Sequence, residues 1–117
     1  DPGNGEAAVG LARILAGRGE LDQAEALVEP LLPDPDAERV MSIVRVRRWE
    51  TDAGDGALGQ ARRAAAAGRW REALEGLLGA FDDDPDAARQ SMVDVFAVID
   101  GDPLVAEYRP KLAARLF

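Results

Sequence analysis

Between Trp70 and Phe81 apolar side chains fall at positions 70, 73, 74, 77, 78, 80 and 81. That three- and four-residue spacing lays one apolar stripe along one face of a helix. Leu11, Ala12 and Leu15 repeat it near the start of the chain, and Leu104, Val105, Tyr108 and Leu112 repeat it near the end. Between the periodic runs stand breakers. Asp-Pro pairs occur at 1–2, 34–35, 84–85 and 102–103, and each of the last three opens a periodic run. Aspartate is suited to capping the free amides of a first turn, and proline at the first helical position gives up no hydrogen bond. Gly19, Gly54, Gly68 and Gly101 lie in the gaps, where a positive φ ends a helix cheaply. The pattern predicts helices near 6–17, 20–32, 35–51, 55–67, 70–82, 85–99 and 103–116, joined by short connections that favour antiparallel neighbours. Pro30 would clash with the carbonyl of Ala26, so the second helix is expected to bend or stop early. β-Branched residues cluster only in MSIVRV (41–46), which continues a helical pattern.

GRGELDQAEALVEPLLPDPDA (17–37) and AGRWREALEGLLGAFDDDPDA (67–87) are copies of one another. Superposing Gly19 on Gly68 pairs Leu21 with Trp70, Ala24 with Ala73 and Val28 with Leu77, and a one-residue slip then pairs Pro35 with Pro85. In the second copy Gly-x-Trp-x-x-Ala-x-x-x-Leu-x-x-Ala-Phe-x-x-x-Pro resembles the second helix of a tetratricopeptide helix–turn–helix and the turn before it. The copies are 49 residues apart, where a plain tandem array of that family would have 34; the excess leaves room for one more helix per unit. The resemblance implies an all-α, tetratricopeptide-like solenoid of about seven antiparallel helices. Its repeats would lie near 6–32 and 55–82, each followed by an extra helix, with a C-terminal helix at 103–116. The opening DPGNG is turn-rich and apolar-poor, so residues 1–5 are expected to be a linker remnant of a longer protein.

Composition narrows the chemistry. The 117 residues include no cysteine and no histidine, which removes disulfides, thiol nucleophiles, the usual zinc sites and histidine acid–base catalysis. A net charge of -8 repels phosphate backbones and anionic bilayers, so neither nucleic acid nor membrane is an expected partner. No run is apolar enough to span a membrane and no leader opens the chain; the expected location is cytoplasmic. Asp82, Asp83, Asp84 and Asp86 invite a calcium loop, but Ala87 and Val93 stand where its glycine and glutamate belong. A capped helix start is the better account. Glu25 with Glu29, and Glu72 with Glu75, share helix faces without a phosphate loop or sugar platform beside them. The chain is read as no enzyme, with no cofactor and no metal. Arg39, Arg45, Arg47 and Arg48 beside Trp49 suit a solvated face, or ion pairs with acidic neighbouring helices, better than a nucleic-acid surface.

The final run DPLVAEYRPKLAARLF, with DAARQSMVDVFAVIDG before it, resembles the C-terminus of the thioredoxin-like chaperedoxins (the YbbN/CnoX family). Ala88, Arg89, Val95, Phe96, Asp102, Pro103, Leu104, Val105, Tyr108, Arg109, Leu112, Leu116 and Phe117 carry the likeness. Pro110 departs from it, and should kink the last helix; so do the aspartates at 82–84. The resemblance implies a thioredoxin-like domain elsewhere in the parent protein, and protein partners: unfolding clients or a chaperone, such as a chaperonin. In a tetratricopeptide register, Val9 with Arg13 and Leu58 with Arg62 occupy equivalent outward positions on a concave face, suited to a mixed apolar and acidic peptide. Tyr108, Arg109, Leu116 and Phe117 are the candidate docking elements of the tail. A scaffold domain of an unrelated regulator and a helical accessory domain of an enzyme stay open as alternatives.

Overall fold

A computed structural model describes residues 2–117, with side chains from residue 4 onward, and Asp1 of the first Asp-Pro pair lies outside it. Among the described residues seven α-helices follow one another: α1 Pro2–Gly17, α2 Leu21–Val28, α3 Pro35–Arg48, α4 Gly56–Ala66, α5 Trp70–Gly79, α6 Pro85–Val98 and α7 Pro103–Leu116. Single 3-10 turns, Glu29–Leu31 and Ala80–Asp82, extend α2 and α5. No strand occurs among the described residues. The fold is an all-α, tetratricopeptide-like solenoid.

The breakers act as their chemistry requires. Asp34 accepts from the amides of Asp36 and Ala37 at 3.1 Å, Asp84 from Ala87 at 3.2 Å and Asp102 from Leu104 at 2.8 Å, each followed by proline at the head of its helix. Of the aspartates at 82, 83, 84 and 86, all exposed, Asp84 serves as this cap. Gly19 and Gly68 end α1 and α4 with φ of 84° and 79°. The next amides close equivalent wraps, Glu20 to the carbonyl of Leu15 and Arg69 to that of Ala64, both at 2.9 Å. α2 stops at Val28, just before Pro30, as a proline late in the helix demands.

Three boundaries differ from the expectation. α1 begins at Pro2, so residues 2–5, expected to be linker, are helical. α3 ends at Arg48, and residues 49–55 form the link to α4, with positive-φ glycines at 54 in the link and at 56, the first residue of α4. α7 runs unbroken across Pro110, whose lost hydrogen bond falls on an exposed face that water can serve.

Two hydrophobic cores result. Val9, Ala12, Leu15, Ala16, Ala24, Val28, Ala37, Val40, Met41 and Val44 form the first, from α1, α2 and the front of α3. The second gathers Val46 and Trp49 from the end of α3 with the buried faces of α4, α5, α6 and α7. α3 therefore belongs to both. The chain neighbours α3 and α4 touch only lightly; α3 packs against α2 and α1 on one side and against α6, its counterpart in the other unit, on the other. Arg39 reaches Asp100 at 2.9 Å while Arg45 reaches Asp94 at 2.9 Å, so numbers rise on one helix as they fall on the other and the pair is antiparallel. On its opposite flank Arg48 binds Asp22 at 2.8 Å and Glu25 at 2.9 Å on α2. Arg39, Arg45 and Arg48 of the α3 cluster hold acidic residues of neighbouring helices and Arg47 faces solvent, so both roles that their context suited occur.

Candidate protein-binding groove

Each residue that the sequence marked for binding has a definite place. Val9, expected to face outward, is buried in the first core at 8% exposure. Its angular position explains why: it flanks Ala12 and Ala16, both fully buried, and the apolar face of α1 is wide enough to take it in. Leu58 is half-buried against the second core. Arg62 is already engaged: Nε donates to Ser91 Oγ at 3.0 Å, Nη1 to the Ala53 carbonyl at 3.3 Å, and the guanidinium lies 5.3 Å from the centre of the Trp49 ring. Arg13 remains exposed. Arg13 and Arg62 line different clefts. Tyr108 is fully buried, donating to Glu75 and accepting from Arg71 Nη1 at 3.3 Å. It is a packing residue of α7. Arg109, Leu116 and Phe117 are exposed, Phe117 completely.

A groove runs instead along the seam of α3, α6 and α7. Arg39, Ser42 and Arg45 form the α3 wall, Val93, Phe96 and Ala97 the α6 floor, and Arg109 and Leu112 the α7 wall. A second depression, between α1 and the start of α3, adjoins it through Arg39 and carries Glu6, Val9, Gly10 and Arg13. The helical period explains the floor. Val93 and Ala97 are four residues apart on the face of α6 opposite Met92 and Val95, which enter the core. Val93 is 42% exposed, an apolar side chain left open in a groove lined by three arginines and by Glu38, Asp94 and Asp100, of which Asp94 and Asp100 are paired to Arg45 and Arg39.

Electrostatics shape the walls. Asp94 is 2% exposed, accepts from Ser42 Oγ and Arg45 Nη1 at 2.9 Å each, and so is both paired and hydrogen-bonded where it is buried. Arg39 and Arg45 each commit one guanidinium nitrogen to these carboxylates; a guanidinium has five N–H donors, so both keep donors for a ligand. Arg109 packs its guanidinium 5.9 Å from the Phe96 ring centre and has no ion pair among the described residues. The groove offers apolar contact and spare cationic donors together. Sequence reasoning placed the cations of α3 on a solvated face or in salt bridges but missed the groove, because α3 and α6 start 50 residues apart and no local pattern shows which helices will face each other.

Among the described residues no cluster of acidic side chains is arranged to hold a metal ion, and no helix is long and apolar enough to cross a membrane. A family model described as tetratricopeptide repeat matches residues 45–117, and a second of the same description matches residues 1–42. No curated protein and no solved structure matches the chain.

Proposed function

The chain belongs to the tetratricopeptide repeat family, a family of protein–protein interaction modules, and from that premise we propose that it is a non-catalytic domain that binds an extended polypeptide in the α3–α6–α7 groove. The observation that carries this is Val93, exposed and apolar, among Arg39, Arg45 and Arg109. A peptide with an apolar side chain over Val93 and Ala97 and carboxylates beside the arginines would use both features. Charge-assisted hydrogen bonds from arginine to carboxylate supply orientation, and the apolar floor supplies desolvation. Titration against an array of short peptides graded in acidic and apolar content tests it. Peptides rich in both should bind best, and Val93→Asp with Arg109→Glu should weaken them by roughly tenfold or more, which is a loss of about 1.4 kcal/mol. Both side chains are exposed, so the helical circular dichroism signal should hold. Equal binding by the folded variant would remove the groove from consideration.

The narrower reading is a cytoplasmic co-chaperone that receives unfolding clients or docks on a chaperone such as a chaperonin. Its support is the resemblance of residues 86–117 to the chaperedoxin C-terminus, together with the exposure of Leu116 and Phe117. Under this reading Arg109, Leu116 and Phe117 form the docking end of α7. Capture of purified chaperonin by the wild type, lost when Leu116 and Phe117 become serine, would support it; capture that survives the double substitution would refute the assignment of the tail.

A further inference from the structure

We propose that the outer face of α1 is a self-association surface, on which a second copy of this chain docks with its own α1 antiparallel. Leu11 and Ile14 are 50% and 59% exposed and lie three residues apart on the face of α1 that turns away from Ala12 and Ala16. Two apolar side chains of that size, adjacent and open, are not required by the solenoid itself.

The internal duplication supplies a control within the same molecule. The 49-residue offset that pairs the copies sets Leu11 against Gln60 and Ile14 against Arg63, and both counterparts are exposed on α4. One unit shows water a polar face at these positions; the other shows it leucine and isoleucine. The difference lies in what each face meets, since the buried faces of the two helices are alike.

Shape and charge single out a second copy as occupant. Gly10 has open space where a side chain would stand, and it and Ala7 lie on the same outer face as Leu11 and Ile14. An antiparallel pair can therefore set Leu11 of one copy over Gly10 of the other, and Ile14 over Ala7, large against small at every step. Glu6 and Arg13, seven residues apart, share one flank of this stripe, both are exposed, and neither has an ion pair among the described residues. A two-fold axis brings like flanks together, so Glu6 of each copy lies along the same edge as Arg13 of the other. The arrangement is self-complementary. One helix-on-helix contact is small for an interface, so a dissociation constant on the order of 10–100 µM is expected.

Sedimentation equilibrium over a range of concentrations spanning that value is the test. The wild type should rise from monomer towards dimer mass, and Leu11→Glu and Ile14→Glu should each weaken association at least about tenfold. Both side chains are half in solvent, so circular dichroism should show the fold intact. The charge swap adds a readout that general loss of hydrophobicity would not move: Glu6→Arg should weaken the dimer and the double variant Glu6→Arg with Arg13→Glu should restore it. A wild type that stays monomeric throughout overturns the proposal and assigns the face to a different protein; a dimer indifferent to Leu11→Glu overturns it by placing the contact elsewhere. Peptide titration of the groove reads independently for Leu11→Glu and Ile14→Glu, because neither side chain lines the groove or the adjoining depression, whereas Glu6 and Arg13 line the latter.

Discussion

Arg45 holds the carboxylate of Asp94 at 2.9 Å across the joint between the two helical units, and Asp94 is all but sealed from water. Breaking a buried pair by removing one partner strands the other charge, whereas replacing both with apolar groups of similar volume is often neutral. Arg45→Met alone should therefore destabilise by about 1–3 kcal/mol, below the range for fully buried pairs because the arginine is partly exposed. Ser42→Ala and Asp94→Leu added to it should recover most of that loss. Chemical denaturation of the single and triple variants measures both. A triple variant as unstable as the single one would mean the joint depends on the charge itself.

At the crossing of α4 and α5, a Cβ on Gly76 would stand 2.8 Å from the Cβ of Ala61. Gly79, on the same helix, has nothing within reach of a Cβ. Exchanging a helical glycine for alanine in open space stabilises by up to about 1 kcal/mol. Gly79→Ala should show that gain and Gly76→Ala should not. Ala73→Leu, at a fully buried position beside the same crossing, should cost about 1–3 kcal/mol through overpacking. Glu72→Gln serves as the surface control, with a change of under about 0.5 kcal/mol. If both glycine variants gain equally, the two helices are farther apart than described.

Burial, reinforced by the hydrogen bond to Glu75, holds the Tyr108 hydroxyl above its ordinary pKa of 10.0. The folded state keeps that proton longer than the unfolded state does. Its contribution is complete below about pH 10 and is lost as pH rises through the higher folded value. Tyr108→Phe should cost about 1–2 kcal/mol at neutral pH, where the donated bond goes to a carboxylate, and should flatten the alkaline limb of the stability curve. On the acid side Glu107, held below its usual value by hydrogen bonds from Arg71, contributes above about pH 4.5 and stops as pH falls through the lowered folded value. Glu107→Gln should blunt that acid limb. Thermal melts from pH 3 to 11 check both; parallel curves for wild type and Tyr108→Phe above pH 10 would contradict the assignment.

Leu116 and Phe117 add little to the core, as their exposure of 47% and 101% shows. Replacing both with serine should leave stability within about 0.5 kcal/mol. A marked fall in melting temperature would show that they cap the domain.

Helix existence, starts and stops were legible because they are local: Asp34, Asp84 and Asp102 cap within three residues, and Gly19 and Gly68 terminate at single φ values. Partner choice between helices was not. Val9 and Tyr108 look like surface candidates along the chain, yet one falls within the wide buried face of α1 and the other finds Glu75 on α5, 33 residues away. Glu75 itself reads as an ordinary surface residue until α7 docks beside it. The groove has the same origin, since its walls come together only when α3 packs against α6.

One helix with a stake in both cores has a consequence for how the domain opens. Should α1 and α2 detach, α3 loses the lining of Ala37, Val40 and Val44 but keeps Val46 and Trp49 seated and Arg39 and Arg45 anchored on α6. The amides of α1 and α2 should thus exchange with solvent deuterium through a partial opening, at lower free energy than those of α4 to α6, which have no exit short of dismantling the larger core. The groove would outlive that first opening, and the face bearing Leu11 and Ile14 would travel away with the departing hairpin.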